Sequence, residues 1–260
     1  MFRVVLIIAA VYCLLLGVLY VAQEALMFFP TRLPPQHRFE LPDVEEVTIK
    51  VDGATLSALH FKQPNAKGVV YFLHGNAGSL REWFTDTSLY RRAGFDLFML
   101  DYRGYGKSSG RIRSEAQLHG DVRAAWDFIA PQYVGRKVVL YGRSLGSGPA
   151  ARLATEIDAA LLVLVSPYLS LRQLATEVYP FVPGLLVRYP LRTDQWIART
   201  KAPVLIVHGE EDALIPVAHA HGLSALRPDA QLLTVRGAGH NDVHLFPDYT
   251  ATLLAALRRL

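Results

Sequence analysis

Three residues far apart in the chain have the types needed for nucleophilic catalysis: Ser144, Asp212 and His240. A serine hydroxyl is a weak nucleophile at neutral pH, so it needs a base within hydrogen-bond reach, and that base needs a partner to orient it. Ser144 lies in "YGRSLGSG", between Gly142 and Gly146, where an apolar run gives way to a helix-like stretch. That context predicts a sharp strand-to-helix turn that lifts the hydroxyl, with the two glycines keeping side chains clear of it. His240, in "GAGHND", has small neighbours that leave its ring free to reach the serine, and His244 is the nearest competitor. His74 and His208 occupy His-Gly pairs after apolar runs, while His219 and His221 fall on a predicted helix as surface or packing residues. Glu210, Glu211 and Asp212 all follow "PVLIVHG". Asp212 is the expected third member: the loop turns there ahead of Pro216, and a short carboxylate can accept the imidazole Nδ1–H and hold the tautomer that turns Nε2 to serine. Both glutamates are expected to be solvated.

Acyl transfer also needs N–H groups aimed at the developing oxyanion. The Leu145 N–H, directly after the serine at a helix start, is one candidate. The other comes from "HGNAGS", with Asn76 expected and Ala77 the alternative; His74 and Gly75 complete that supporting motif. A phosphate loop is not indicated, because no G-x-x-x-x-G-K-[ST] is present and "GYGKS" is too short.

These residues must be carried by a framework. Continuous apolar runs at Gly68–Leu73, Phe95–Leu100, Val138–Tyr141, Leu161–Val165 and Val204–Val207 read as strands buried on both faces. Helix-like segments separate them at Leu80–Arg92, Ser114–Ile129, Ser144–Glu156 and Val217–Leu226, and Tyr249–Leu260 closes the chain. The alternation predicts an α/β fold, a mostly parallel central sheet with helices on both faces. Val44–Lys62, with Asp52-Gly53 at its middle, predicts an antiparallel hairpin at one edge. Every motif above falls at the carboxyl end of a strand, where open α/β sheets bind ligands.

Val4–Ala22 carries no charge and approaches the roughly 20 apolar residues that cross a bilayer core. The expected organisation is a membrane anchor over 1–23, a Pro- and aromatic-rich neck over 24–43 and a catalytic domain over 44–260. Arg3 on one side and Arg32 and Arg38 on the other leave the sidedness undecided. The net charge of +4 comes without a dense basic run, so nucleic-acid binding is not expected. Cys13 is the single cysteine, which excludes an intrachain disulfide and a cysteine-based metal site. No metal or organic cofactor is expected. A Pro-broken apolar stretch over about 170–197 reads either as a cap or as a helix packed on the sheet. As a cap, with Tyr168 just before it, it offers Tyr168, Tyr179, Phe181, Leu185 and Leu186 as a substrate pocket for an acyl chain or as a mouth facing the bilayer.

The ordered set "HGNAGS", "DYRGYGKSSG", "GRSLGSGPA", "SPYLSL", "PVLIVHGEEDALIP" and "GAGHND", behind an apolar N-terminus and "FFP", resembles the α/β-hydrolase superfamily. Within it, the set is similar to the membrane-anchored serine hydrolases that include lysophospholipid hydrolases, monoacylglycerol hydrolases and protein depalmitoylases. The resemblance covers nearly the whole chain and implies an α/β-hydrolase fold and ester or thioester hydrolysis of small-molecule or lipid acyl substrates. One departure is "GRIRSEAQLHGD", where such proteins often have a shorter, more acidic approach to the helix.

Overall fold

The computed structural model describes residues 1–260. In chain order its elements are α1 (Phe2–Met27), β1 (Phe29–Pro30), β2 (Val44–Val51), β3 (Ala54–Phe61), β4 (Gly68–Leu73), β5 (Ala77–Gly78), α2 (Leu80–Trp83), α3 (Ser88–Ala93) and β6 (Phe95–Leu100). There follow α4 (Glu115–Ile129), β7 (Lys137–Arg143), α5 (Ser147–Leu153), β8 (Leu161–Val165), α6 (Leu171–Val178), α7 (Thr193–Ile197), β9 (Val204–Gly209), α8 (Ala218–Leu226), β10 (Gln231–Val235) and α9 (Pro247–Arg258).

Eight strands form one sheet in the order β10-β9-β8-β7-β4-β6-β3-β2. The pairs from β10 to β6 are parallel, and β3 runs antiparallel to both β6 and β2. The continuous apolar runs follow from burial on both faces. Along β4, Val69, Tyr71 and Leu73 enter one core while Val70 and Phe72 enter the other. The first core is closed by α4, through Leu118, Val122 and Ile129, together with α5 and α8. The second is closed by Leu80, Tyr90 and Ala93 of the early helices and by Leu253 and Leu257 of α9. Both layers are needed: the alternating side chains of a strand project to opposite faces.

Three sequence expectations change. The single helix expected over Leu80–Arg92 is two short ones, because Ser79 caps the first and Asp86 accepts the Ser88 N–H at 2.7 Å to start the second. The helix expected from Ser144 begins as a 3-10 turn, Ser144–Gly146, and becomes α5 at Ser147. Third, the N-terminal helix runs on past residue 23 to Met27, and the stretch after it is tied to the domain. Phe29 and Pro30 pair in parallel with Ala77 and Gly78, and Leu33 N–H donates to the Gly106 carbonyl at 2.9 Å.

No residue of α1 is buried, and its most apolar window has a mean hydropathy of 2.9. At 1.5 Å per residue the helix is about 39 Å long. Its last turns meet the cap segment. Gln23 donates to the Leu186 carbonyl at 2.7 Å and accepts from the Arg188 N–H at 2.8 Å. Glu24 pairs with Arg188 at 2.8 Å and accepts from the Tyr189 hydroxyl at 2.9 Å. Eleven residues before Gln23, at mid-helix, the Tyr12 hydroxyl donates to the Phe181 carbonyl at 2.7 Å.

Candidate active site

Ser144 follows β7 with a φ of +50°, the left-handed region that side chains rarely adopt. Such strain costs on the order of 1–3 kcal/mol and persists only where the surroundings enforce it. The two flanking glycines enforce it by close approach. A Cβ on Gly146 would lie 2.0 Å from the Leu73 carbonyl oxygen, and one on Gly142 would lie 2.4 Å from the Gly146 carbonyl oxygen and 2.7 Å from the Ala150 Cβ. Their smallness therefore serves tight backbone packing of the turn against β4 and α5, beyond the clearance expected from sequence.

The structure brings the three chemistry-bearing residues into one chain of contacts. His240 Nε2 is 3.0 Å from Ser144 Oγ, and His240 Nδ1 is 2.7 Å from Asp212 Oδ2. The other carboxylate oxygen, Oδ1, accepts the N–H groups of Leu214 and Ile215 at 2.9 and 2.8 Å. The Asp212 side chain is fully enclosed. Burial pushes its carboxyl up, but contacts with His208 and His240 and the Ile215 N–H outweigh burial and hold it far below the usual range. Glu210 and Glu211 are exposed.

The other histidines have different surroundings. His244 contacts Arg143 at 3.2 Å and is held below its ordinary range, by burial first and then by that guanidinium. His219 is buried, accepting the Leu169 N–H and meeting Glu177 at 3.0 Å, while His221 is exposed. His74 is fully buried with Nδ1 2.7 Å from the Gly75 carbonyl, so it shapes the loop after β4 from below.

That loop is clamped at two successive carbonyls, those of Asn76 and Ala77. Tyr105 donates its hydroxyl to the Asn76 carbonyl at 2.6 Å, and Trp83 Nε1 donates to the Ala77 carbonyl at 2.7 Å. Gly75 is required because a Cβ there would lie 2.8 Å from the Trp83 ring. The peptide plane carrying the Ala77 N–H is thus held by Tyr105 through the Asn76 carbonyl, and the plane carrying the Asn76 N–H by His74 through the Gly75 carbonyl.

Three supporting residues escaped sequence reasoning. Arg143 reaches the His240 and Asn241 carbonyls at 3.3 and 3.1 Å and so ties the β7 end to the histidine loop. His208 sits under Asp212, 3.3 Å from Oδ2; its His-Gly pair after a buried strand was the available signal. Tyr168 was expected in the substrate pocket, but it is buried and donates to the Leu145 carbonyl at 2.9 Å. It props the serine turn, because its hydroxyl finds that carbonyl and is spent there.

The remaining pocket candidates, Tyr179, Phe181 and Leu185, are exposed, and Leu186 is half-buried with its carbonyl tied to Gln23. They flank α1. A separate cleft of about 500 Å³ borders the site, lined by Ala77 beside Asn76, Arg143 beside Ser144, Asn241 beside His240, and Trp83.

Residues 64–193 match a family model described as serine aminopeptidase S33, and residues 187–247 match one described as TAP-like protein. The chain belongs to the α/β-hydrolase family. It is 36% identical over 197 residues to human alpha/beta hydrolase domain-containing protein 17B, covering 73% of this chain and 66% of that protein. It is 34% identical over 207 residues to the Caenorhabditis elegans alpha/beta hydrolase domain-containing protein aho-3, covering 73% of this chain and 57% of that one. The matched region thus spans under two thirds of the length of these relatives. An esterase of Pyrococcus furiosus superposes with a TM-score of 0.70 at 19% identity, covering 90% of this chain and 97% of the esterase. The Butyrivibrio proteoclasticus protein Est1E, solved with ferulic acid bound, gives 0.65 at 19% identity, covering 82% and 96%. Both share this α/β-hydrolase fold.

Proposed function

We propose that this chain is an esterase-type serine hydrolase acting on carboxylic esters or thioesters of lipid-like acyl groups at a membrane. The observation that carries the reading is the contact chain Asp212–His240–Ser144, at 2.7 and 3.0 Å, built on a serine held at positive φ. Ser144 Oγ attacks the acyl carbonyl as His240 Nε2 takes its proton. Asp212, ionised and fully enclosed, holds the Nδ1–H tautomer and stabilises the imidazolium that forms. The Leu145 N–H and that of Asn76 or Ala77 meet the oxyanion. The tetrahedral intermediate collapses when His240 returns the proton to the departing alcohol or thiolate. Water then attacks the acyl-enzyme with His240 again as base, releasing the carboxylic acid and restoring Ser144.

A lipid-like substrate is supported by the neighbourhood. The helix Phe2–Met27 carries a long apolar run with no residue buried, as a bilayer-spanning anchor would. The exposed Tyr179, Phe181 and Leu185 lie beside it. The cleft bounded by Ala77, Trp83 and Asn241 is the candidate seat for one of the two groups flanking the scissile bond.

The test is labelling of the full chain by a fluorophosphonate together with turnover of p-nitrophenyl acyl esters of graded length. Wild type should label and prefer the longer chains, and Ser144→Ala should lose both activities. Full labelling of that variant would remove Ser144 from its role, and turnover of aminoacyl amides in place of esters would favour a peptidase. Loss of α1 from membranes on alkaline carbonate extraction would remove the anchor.

A further inference from the structure

A cavity of about 630 Å³ lies where α1 meets the domain, away from Ser144. One wall is the last turns of α1, with Val21, Ala25 and Phe28 facing in. The other wall is basic, carrying Arg32, Arg111 and Arg113 as well as Arg103 and Arg188. Glu24 is the single acidic residue there, and Arg188 already neutralises it at 2.8 Å. Arg103 is likewise committed, to Asp121 at 2.5 and 2.8 Å and to the Asp52 carbonyl at 2.7 Å. Arg32, Arg111 and Arg113 have no side-chain hydrogen bond and no ion pair within the protein. Arg111 and Arg113 come from the stretch "GRIRSE" before α4, and Arg32 from the segment that pairs with Gly106.

The position along α1 identifies the ligand class. The apolar run of the helix ends at Ala22, so Gln23 to Phe28 stand at the boundary between hydrocarbon and headgroups if the helix crosses a bilayer. A cavity at that level, apolar on the helix side and carrying three unpaired guanidinium groups on the other, matches a phospholipid in both halves. Guanidinium forks bind phosphate oxygens in bidentate fashion, and the volume falls within the range of about 300–1,000 Å³ typical of ligand sites. We infer that this cavity holds the phosphate headgroup of an anionic glycerophospholipid from the leaflet beside the domain, with Arg32, Arg111 and Arg113 on the phosphate and Val21, Ala25 and Phe28 against the glycerol end of the lipid. This inference rests on the membrane anchor proposed above and is independent of the hydrolase reading.

The experiment uses the full chain in phosphatidylcholine nanodiscs doped with photoactivatable phosphatidylglycerol, with cross-linked peptides read by mass spectrometry. Cross-links should concentrate in the peptides holding Val21–Phe28 and Arg111–Arg113. The triple variant Arg32→Gln, Arg111→Gln, Arg113→Gln should lower them roughly tenfold or more, since each basic residue near an anionic surface contributes about 1 kcal/mol, or around fivefold. The corresponding triple Lys variant keeps the charges without the fork and should fall between. An unchanged thermal midpoint shows that the Gln variant is folded; if it is not folded, the Lys variant carries the comparison. Labelling independent of the arginines in a carbonate-resistant protein would overturn the headgroup site alone. Competition by millimolar inorganic phosphate as strong as that by unlabelled phosphatidylglycerol would overturn the lipid source. Release of wild type by carbonate would overturn both the site and the anchor, whereas loss of fluorophosphonate labelling alone would touch only the hydrolase reading.

Discussion

His208 lies beneath Asp212, its Nε2 3.3 Å from the carboxylate oxygen that meets His240 at 2.7 Å. The same Nε2 is 2.7 Å from the Ile215 carbonyl, an acceptor that requires the proton to sit on Nε2. His208 is therefore the Nε2–H tautomer, and its Nδ1 is buried without a partner. One ring proton is shared between the loop that carries Asp212 and the carboxylate itself.

Replacing that ring tests its role. His208→Leu leaves the Ile215 carbonyl and Asp212 each short of a donor, an expected cost of about 1–3 kcal/mol in stability. The sign of the pH effect follows from Asp212, whose folded value lies below its unfolded value near 4. Its contribution is full above that unfolded value and is lost as pH falls toward the folded one. With less depression in His208→Leu, the acid-unfolding midpoint should move to higher pH and kcat should fall. An acid midpoint and a kcat equal to those of wild type would remove His208 from the argument.

Arg143 links the strand before Ser144 to the loop that carries His240. Arg143→Met keeps much of the aliphatic stem but loses the guanidinium, with its place over the Trp83 ring and its contacts to the His240 and Asn241 carbonyls. The expectation is a kcat lowered roughly tenfold to a hundredfold, as a displacement of about 1 Å at a reacting group can cause. Arg143→Lys should recover only part, since the ammonium lacks the fork. Steady-state kinetics of both variants decide it, and equal rescue by Lys would mean that charge alone matters.

The glycines of the serine turn make a steric prediction. Gly146→Ala places a methyl 2.0 Å from the Leu73 carbonyl oxygen, a backbone atom that cannot rotate away. Stability should drop by about 3 kcal/mol or more, at the upper end for overpacked sites. Gly17→Ala, where nothing lies within 4 Å, is the matched control and should leave the denaturant midpoint nearly unchanged.

Asp101 supplies an opposite pH signature. Burial raises its carboxyl, and contacts with His74 and the Leu80 N–H only partly offset that. A raised carboxyl favours the protonated form in the fold, so its contribution is full below the unfolded value near 4 and is lost as pH rises through the folded value. Asp101→Asn keeps an acceptor for the Leu80 N–H, now 3.0 Å away, without a buried charge. Its thermal midpoint relative to wild type should therefore improve as pH rises from about 4 toward neutrality. A constant difference across that range would contradict the assignment.

The site was legible where local sequence carries chemistry. Ser144, Asp212 and His240 each sit at a strand end, and the order of apolar runs places those ends together. The props were not legible, because they act across the fold. Arg143 meets a loop about a hundred positions later, and Tyr168 spends its hydroxyl on a backbone carbonyl that any residue would present. The β1–β5 pairing is two residues long, too short for any periodicity to announce it. The cap segment was less legible: periodicity over a short apolar, Pro-broken run cannot separate a pocket or a bilayer-facing mouth from a helix packed on the sheet, and Tyr179, Phe181 and Leu185 are exposed.

Tyr12 and Gln23 both grip the cap segment, at Phe181 and at Leu186 with Arg188, and they stand about 16 Å apart along α1. With α1 in a bilayer, the tip of the cap at Phe181 is sunk well below the level of the headgroups. A molecule dissolved in that leaflet then meets the protein by lateral diffusion, without first crossing into water. Turnover would follow the mole fraction of substrate among the lipids, and diluting the membrane with inert lipid would slow it even at constant total substrate.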